Sequence, residues 1–169
     1  SPVNYETYWR TSRGSYSERF VAQVCEKFAF DSVLDVGSGD GTVVRQFLKR
    51  QKQAYGIEYS KEATKTYCPD LMASGHVVNG SLTDLPFADD SFDLVFCSEV
   101  LEHIEPNSVE MAVAEIARVA KRNLFLTISL RPSSDNNKYH LTLRPRTWWE
   151  SIFSRYGCTV NRSTIDHFQ

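Results

Sequence analysis

The sequence predicts an α/β domain built on a doubly wound, mostly parallel sheet with helices on both faces. An apolar run at residues 33–36 leads into a turn that contains Gly37, Gly39 and Gly41. An apolar run bounded by glycine is typical of a buried parallel strand. Apolar residues at helical spacing begin directly after the turn. Further apolar runs alternate with helical segments along the chain, which is the pattern of a mainly parallel sheet.

The order of the elements follows from the periodicity of the apolar residues. The predicted strands cover residues 33–36, 54–57, 76–79, 92–97 and 123–129, and the weak alternation at 158–165 is interpreted as a sixth strand. The predicted helices cover residues 15–29, 42–51, 60–67, 106–122 and 145–156. Gly157 ends the last helix, because glycine commonly follows a final helical turn. We expect residues 1–169 to form a single domain.

The bulk properties favour an ordinary soluble globular protein, with 41% hydrophobic and 24% charged residues. A net charge of −2 argues against a nucleic acid partner, since phosphate binding needs a basic face. No apolar run approaches the roughly 20 residues of a membrane span, and we expect no signal peptide, because no basic segment followed by an apolar core opens the sequence. The four cysteines are scattered without a C-x-x-C pair, which favours a reducing compartment, the cytoplasm. These properties leave the oligomeric state open.

The glycine turn does not have the spacing of a dinucleotide site. Its pattern is G-x-G-x-G, and Thr42 stands where the dinucleotide fingerprint has its third glycine. Asp35 and Asp40 flank the turn, and two carboxylates repel a pyrophosphate but suit a cationic or zwitterionic ligand. Glu58 ends the next strand, where a carboxylate can accept both hydroxyls of a ribose. The implied ligand has a ribose and an ammonium group but no diphosphate, and S-adenosyl-L-methionine has these parts.

Four stretches follow one another in the chain: residues 33–41, residues 55–58, residues 80–87 with 91–95, and residues 99–104. In this order they resemble the motifs of class I S-adenosylmethionine-dependent methyltransferases, a family with a Rossmann-like fold of three layers. The resemblance covers roughly residues 15–130. It implies an enzyme that binds S-adenosyl-L-methionine and releases S-adenosyl-L-homocysteine. The family sheet commonly has seven strands, so the seventh is either missing here or lies beyond this sequence.

The resemblance also implies the cofactor residues. The methionine end of the cofactor would pass Asp35, Gly37, Ser38, Gly39 and Gly41, the ribose would lie at Glu58 and Tyr59, the adenine would border Ser81 and Leu82, and Ser98 and Glu99 would line the methyl-transfer side. The family usually has an acid where this chain has Ser81, and a serine accepts a hydrogen bond more weakly than a carboxylate. The adenine contact then comes from the Leu82 backbone or from Asp84.

Two histidines are candidates for catalysis. His103 is a candidate general base because its ordinary pKa lies near neutrality, and His140 lies in the segment after the fifth strand. The alternative for His103 is a packing or capping role at the start of a helix. With Glu99 and Glu102, His103 forms E-x-x-E-H, whose side chains share one face of a helical turn.

The same pattern raises the question of a metal. Glu99, Glu102, His103 and His140 could hold Mg²⁺ or Mn²⁺. The pattern resembles metal-dependent O-methyltransferases that modify small-RNA 3′ ends or quinone precursors. It is also common in family members that bind no metal, so we expect no metal ion.

Residues 131–149 form the segment in which the family builds its acceptor site. We predict acceptor contacts from Tyr139 and Arg144, and we assign Trp148 to the core and Trp149 to the candidate acceptor contacts. Residues 1–14 are either an arm packed on the domain or a lid, whose Tyr8 and Trp9 then touch the acceptor.

The function predicted from these features is methyl transfer to an oxygen or nitrogen of a small polar acceptor, such as a metabolite, a sugar or a natural-product intermediate. Two alternatives remain. One is a metal-assisted RNA ribose 2′-O-methyltransferase, and the other is a non-catalytic domain that keeps the fold.

Overall fold

A computed structural model describes residues 15–133 and 139–165. In this part of the chain, five parallel strands form one sheet in the order β3-β2-β1-β4-β5. The strands are β1 (Ser32–Val36), β2 (Gln53–Glu58), β3 (Val77–Asn79), β4 (Phe92–Ser98) and β5 (Ala120–Thr127). The helices are α1 (Ser15–Lys27), α2 (Thr42–Lys49), α3 (Lys61–Tyr67), α4 (Pro69–Ala73), α5 (Val109–Val119), α6 (Arg146–Arg155) and α7 (Arg162–Ile165). Short 3₁₀ turns lie at Leu101–His103 and Pro106–Ser108.

The predicted doubly wound sheet is confirmed. The strand order reverses at β1, so the loops after β1 and β4 leave the sheet in opposite directions and open a crevice between them. Side chains of alternate strand residues enter two separate apolar cores. Leu34 and Val95 pack in one core with helices α5 and α6, whereas Val33 and Leu94 pack in the other with α1 and α2. The domain therefore has three layers.

The helices around the crevice begin where local chemistry predicts. Helix α2 starts directly after Gly41 and buries Val43, Val44 and Phe47. The Ser60 hydroxyl accepts a hydrogen bond of 3.1 Å from the Ala63 N–H and caps α3, as serine does at many helix starts. Helix α4 was not predicted, because one short turn leaves no apolar period to detect.

The predicted sixth strand at 158–165 is wrong. Residues 158–161 are not a strand, and Arg162–Ile165 is the short helix α7. After Gly157, with φ +81°, the Cys158 N–H donates to the Phe153 carbonyl at 3.1 Å. The chain therefore turns back on α6 instead of reaching the edge of the sheet.

The assignment of Trp149 is also corrected. Trp149 is 4% exposed and belongs to the core, and Trp148 is partly buried and packs against the same core. Helix α6 begins at Arg146, and Trp149, Ile152 and Phe153 share its inner face at spacings of three and four. Trp149 is thus withdrawn as a candidate acceptor contact.

A reciprocal pair of hydrogen bonds joins the amino ends of β1 and β4. The Asp93 carboxylate accepts from the N–H groups of Asp31 (3.0 Å) and Ser32 (3.2 Å). The Ser32 hydroxyl accepts in return from the Asp93 N–H at 2.9 Å. The bonds lie next to the pairing of Val33 with Leu94 in the parallel ladder of β1 and β4.

Among the described residues, no helix is long and apolar enough to cross a membrane.

Candidate active site

The glycine turn, residues 37–41, is pressed against the segment that follows β4. Gly37 has φ +76°, a conformation that side chains other than glycine rarely adopt. A Cβ atom on Gly37 would lie 2.5 Å from Cγ2 of Val100, and one on Gly41 would lie 2.6 Å from Cδ1 of Leu71. The backbone at Gly37 and Gly41 lies too close to these side chains for a side chain of its own. The contact with Val100 also places the turn directly beside the loop after β4.

Asp35 lies at the base of the turn as a buried carboxylate, 4% exposed. Burial raises its pKa well above the usual range, and the nearby charges of Glu58 and Asp40 raise it further. Within the described residues, no hydrogen bond reaches this carboxylate. A buried charge without partners is costly, so a cationic group of a ligand would stabilise it. The Ser38 hydroxyl is also buried and unpartnered within the described chain.

Glu58 ties the end of β2 to the turn. Its Oε2 accepts from the Gly39 N–H at 2.9 Å, and its Oε1 accepts from the Ser60 N–H at 2.8 Å. Burial raises its pKa, although these backbone hydrogen bonds oppose the shift. Each carboxylate oxygen can accept more than one hydrogen bond, so both hydroxyls of a ribose can still bind. Tyr59 follows and is 72% exposed at the rim.

The predicted adenine edge lies after β3. The Ser81 hydroxyl is 2.8 Å from the Thr83 hydroxyl and accepts from the Thr83 N–H at 3.2 Å. The Leu82 side chain is buried in the core, whereas the Asp84 side chain is exposed. The Ser81 hydroxyl is therefore already engaged in a local turn.

The end of β4 carries the second part of the site. The Ser98 hydroxyl lies 2.8 Å from the Thr127 hydroxyl on the neighbouring strand, and the Glu99 N–H donates to the Thr127 carbonyl at 2.9 Å. Glu99 has φ +56°, which costs a residue other than glycine on the order of 1–3 kcal/mol. Such strain is concentrated at functional sites, and here it lies one residue before Val100, which contacts the glycine turn.

Glu102 is fully buried beside this strained residue. Its Oε1 accepts from the Ser129 N–H at 3.0 Å, while its Oε2 is buried without a hydrogen-bond partner in the described part of the chain. Burial, with the charge of Glu99 as the next cause, raises the pKa of Glu102 to about 8. The Thr142 N–H donates to the Glu102 carbonyl at 3.0 Å, so the acceptor segment is fastened to this turn.

His103 and His140 face each other next to Glu102. Their ring centroids are 5.0 Å apart. Nδ1 of His103 lies 2.7 Å from the Tyr139 carbonyl, and Nδ1 of His140 lies 2.6 Å from the Arg131 carbonyl. A carbonyl only accepts, so each Nδ1 carries the proton and each neutral ring has its lone pair on Nε2. Burial lowers the pKa of His103, opposed by its bond to Tyr139, which favours the neutral imidazole at neutral pH.

One ligand atom each from Glu102, His103 and His140 lies within 4.8 Å of the other two. We call these three residues the Glu102–His cluster. The structure thus unites three of the four residues that the sequence analysis named as metal candidates. Glu99 lies outside this group of donor atoms, although it is close enough to influence Glu102.

The remaining predicted acceptor residues are less enclosed. Arg144 is exposed, and its guanidinium lies 5.5 Å from the centre of the Trp148 ring. Tyr139 contributes its carbonyl to His103. Tyr8 and Trp9 lie outside the described residues, so their part in acceptor binding stays a prediction.

Sequence reasoning missed the residues that hold the site together. The Thr142 hydroxyl donates to the Ile104 carbonyl at 2.7 Å, which fixes the segment that carries His140. Arg118 donates to the carbonyls of Leu85 (3.0 Å) and Phe87 (2.8 Å) and braces the loop after the adenine edge. Of these contacts, the sequence could have indicated one. Glu115 and Arg118 are three residues apart in a predicted helix, and in the structure they form an ion pair.

Comparisons with known proteins agree with this geometry. Residues 34–128 match the family model described as a methyltransferase domain. The chain is 27% identical over 147 residues to the probable pectin methylesterase CGR2 of Arabidopsis thaliana, covering 81% of this chain and 56% of that protein. It is 33% identical over 130 residues to a ubiquinone biosynthesis O-methyltransferase of Nitrosospira multiformis, covering 71% and 54%.

Among solved structures, the YcgJ protein of Bacillus subtilis superposes with a TM-score of 0.67 at 25% identity, over 83% of this chain and 67% of that chain. The chain spans little more than half the length of the two curated relatives. The family model alone matches more than half of the present sequence. The chain therefore belongs to the class I S-adenosylmethionine-dependent methyltransferases, the family that its four sequence motifs resemble.

Proposed function

We propose that this chain transfers the methyl group of S-adenosyl-L-methionine to an oxygen or nitrogen of a small polar acceptor and releases S-adenosyl-L-homocysteine. One observation carries the proposal. Two buried carboxylates flank the glycine turn, Asp35 without any donor in the described residues and Glu58 held by two backbone N–H groups. A ligand with a cationic amino-acid end and a ribose diol matches both, because the first neutralises Asp35 and the second donates to Glu58.

The cofactor residues follow from this match. The methionine end is assigned to the turn with Gly37, Ser38, Gly39 and Gly41, the ribose to Glu58 and Tyr59, the adenine to Ser81 and Leu82, and the methyl side to Ser98 and Glu99. A Cβ on Gly37 would collide with Val100, so the turn keeps its path only with glycine at this position.

His103 is the proposed general base. Methyl transfer displaces the sulfur in line, so alignment supplies much of the rate. An acceptor hydroxyl or ammonium must also lose a proton. The lowered pKa of His103 and the lone pair on its Nε2 suit that task. His140, with its ring 5.0 Å from that of His103, is the second candidate, and Tyr139 and Arg144 are the proposed acceptor contacts.

The names of two relatives favour oxygen over nitrogen as the acceptor atom. One is called an O-methyltransferase and the other a methylesterase, and both words refer to a methyl group on oxygen. The lengths of both relatives exceed that of this chain, so the acceptor itself is tested rather than transferred from them.

Calorimetric titration with S-adenosyl-L-homocysteine tests the proposal directly. We expect saturable binding with a Kd well below about 1 mM, the value that corresponds to roughly −4 kcal/mol. Binding weaker than this in the wild-type chain contradicts the proposal and favours a non-catalytic domain that keeps the fold.

A screen of hydroxyl and amine acceptors, scored by a mass gain of one methyl group, then tests the reaction. His103→Asn should lower turnover by about 10²–10⁴-fold while leaving S-adenosyl-L-homocysteine affinity unchanged. Methylation confined to the ribose 2′-oxygen of an RNA would instead support the alternative RNA enzyme.

A further inference from the structure

We infer that Glu115 and Arg118 on α5 are positioning residues for the adenine of the cofactor. They hold the loop that follows β3 against the helix, and so they set how strongly the chain prefers adenine to another base. Both residues act through the backbone of the loop. The inference rests on the proposed function, because it takes residues 81–84 as the adenine edge.

The connection between β3 and β4 contains no helix or strand of its own. It covers residues 80–91 and leads from the edge of the sheet past β2 and β1 to β4. Parallel strands are usually joined by a helix, which packs on the sheet and fixes the connection. Here the buried side chains of Leu82 and Leu85 anchor the loop in the core, and its backbone needs a further attachment.

Glu115 and Arg118 supply this attachment. The Arg118 guanidinium donates to the Leu85 carbonyl at 3.0 Å and to the Phe87 carbonyl at 2.8 Å. The Glu115 carboxylate accepts from the Leu85 N–H at 2.7 Å, so both backbone groups of Leu85 are bound to α5. Because Leu85 directly follows the turn at residues 81–84, its position sets the position of the turn.

The guanidinium of Arg118 is itself held in one orientation. Its Nε and Nη2 donate to the two oxygens of Glu115 at 2.7 and 2.8 Å, and its Nη1 donates to Asp89 at 2.9 Å. Paired bonds of this kind give an arginine–carboxylate pair a fixed geometry. The bonds from Arg118 also lower the pKa of Glu115, which keeps the carboxylate ionised. A lysine has one compact ammonium group and cannot bind all these oxygens at once.

The turn at residues 81–84 favours recognition of the base through the backbone. The Ser81 hydroxyl is already engaged with the hydroxyl and the N–H of Thr83, and the Asp84 N–H donates to the Ser81 carbonyl at 3.3 Å. Among the residues that the structure describes, the Leu82 N–H has no hydrogen-bond partner. It can therefore donate to an acceptor atom of the base. A backbone donor selects one base over another only where its position is fixed.

The affinities for two ligands test the inference. They are S-adenosyl-L-homocysteine and S-inosyl-L-homocysteine, in which hypoxanthine replaces adenine and an N–H replaces the unprotonated ring nitrogen N1. Two donors cannot bond, so we expect the wild type to prefer adenine by at least about tenfold, the size of one hydrogen bond. Arg118→Lys should weaken the binding of S-adenosyl-L-homocysteine by about the same factor, and leave the affinity for S-inosyl-L-homocysteine within about twofold.

Arg155→Lys is the matched control. Arg155 on α6 also pairs with a glutamate of α5, Glu110, at 2.9 Å, but this pair is exposed and bonds to the other helix instead of the loop. The variant should keep both affinities. Glu115→Gln retains an oxygen for the Leu85 N–H but loses its charge, so it should lower the preference for adenine by a smaller factor. It decides the matter if Arg118→Lys fails to fold.

Three results overturn the inference: equal binding of the two ligands by the wild type, a wild-type preference in Arg118→Lys, or an equal change in Arg155→Lys. A fall of both affinities by the same factor in Arg118→Lys counts as the second result, because it shows that the pair only supports the fold. A wild type that binds neither ligand contradicts the proposed function as well. Binding with an unchanged preference contradicts the inference alone.

Discussion

The glycine turn and the Glu102–His cluster lie at the carboxyl ends of adjacent strands, and each contains a buried carboxylate. Asp35 has no hydrogen-bond donor in the described chain and lies near two further acids, Glu58 and Asp40. Glu102 has one backbone donor and two imidazoles beside it. The turn therefore suits a cationic group carried by a larger ligand, whereas the cluster combines one carboxylate with two imidazoles. The surroundings of a buried acid, more than its charge, determine what it binds.

The two regions also differ in how they are assembled. The turn and its acid lie within residues 35–41, and only Glu58 comes from elsewhere. The cluster needs a segment nearly forty residues away along the chain, since His103 bonds to the Tyr139 carbonyl across a separation of 36. A change in the turn should thus act on cofactor binding, and a change in the acceptor segment should leave it intact.

The largest effect is expected from Gly37→Ala. The new Cβ would lie 2.5 Å from Val100, so the turn must move, and we expect S-adenosyl-L-homocysteine affinity to fall by at least about a hundredfold, or roughly 3 kcal/mol. Gly75→Ala is the matched control, because Gly75 shares φ +76° but has nothing within 4 Å of the new atom. It should lose about 1–2 kcal/mol of stability from backbone strain and keep its affinity. Equal affinity losses in the two variants would mean that the turn is not the cofactor site.

Glu58→Gln should have the second-largest effect on cofactor binding. The N–H groups of Gly39 and Ser60 each donate to one oxygen of the Glu58 carboxylate. In the variant, the NH₂ group of the new amide would face one of these N–H groups, and two donors cannot form a hydrogen bond. We expect a loss of about 1–3 kcal/mol in the free energy of unfolding and weaker S-adenosyl-L-homocysteine binding by calorimetry. Glu62→Gln, an exposed acid on α3, is the control and should change neither quantity. Wild-type affinity in Glu58→Gln would remove this carboxylate from the ribose site.

Asp35→Asn separates stability from binding. The folded state raises the pKa of Asp35 because of burial first and then the charges of Glu58 and Asp40. The folded chain therefore binds this proton more tightly than the unfolded chain, and stability falls as pH rises from the unfolded pKa of about 3.9 through the folded pKa. Removing the charge should raise the free energy of unfolding near neutral pH by on the order of 1 kcal/mol, while cofactor affinity falls. Urea unfolding across this pH range measures the slope, and a variant less stable than the wild type at neutral pH would contradict the prediction.

Arg144→Ala should have the smallest effect. Arg144 is exposed and touches mainly the Trp148 ring, so stability should change by less than about 0.5 kcal/mol. S-adenosyl-L-homocysteine affinity should stay within about twofold of the wild type, while the KM for the acceptor rises. Arg155 is an exposed arginine paired with Glu110. Arg155→Ala is the control and should leave the S-adenosyl-L-homocysteine affinity and the KM for the acceptor unchanged. A clear loss of cofactor affinity in Arg144→Ala would show that the two regions are coupled.

The fold and the turn were predictable because their signals are local. The apolar runs identified all five strands, and Glu58 was singled out as a ribose candidate because it ends the second strand. The stretch at 158–165 was misread because weak alternation cannot show that the Cys158 N–H returns to Phe153. Trp149 was assigned wrongly because the start of α6, which fixes the face that points inward, is not evident from the sequence.

The cluster was only half predictable. E-x-x-E-H indicates that Glu102 and His103 lie close together, but no spacing tells how near His140 comes. That distance depends on Thr142 and on the Arg131 carbonyl, and their contacts exist only in the folded chain. The roles of all the cofactor and acceptor residues, including Ser81, Leu82, Tyr8 and Trp9, stay predictions.

The paired hydrogen bonds between Ser32 and Asp93 set the relative height of the two regions. Parallel strands have no hairpin to align them, and a slip of one residue would raise one strand end above its neighbour by about 3.3 Å. Val100 would then no longer reach Gly37, and the gap between a methyl donor and its acceptor would change by more than the length of a hydrogen bond. Ser32 and Asp93, at the amino ends of these strands, therefore help to hold the loops at the carboxyl ends at the heights that the proposed methyl transfer needs.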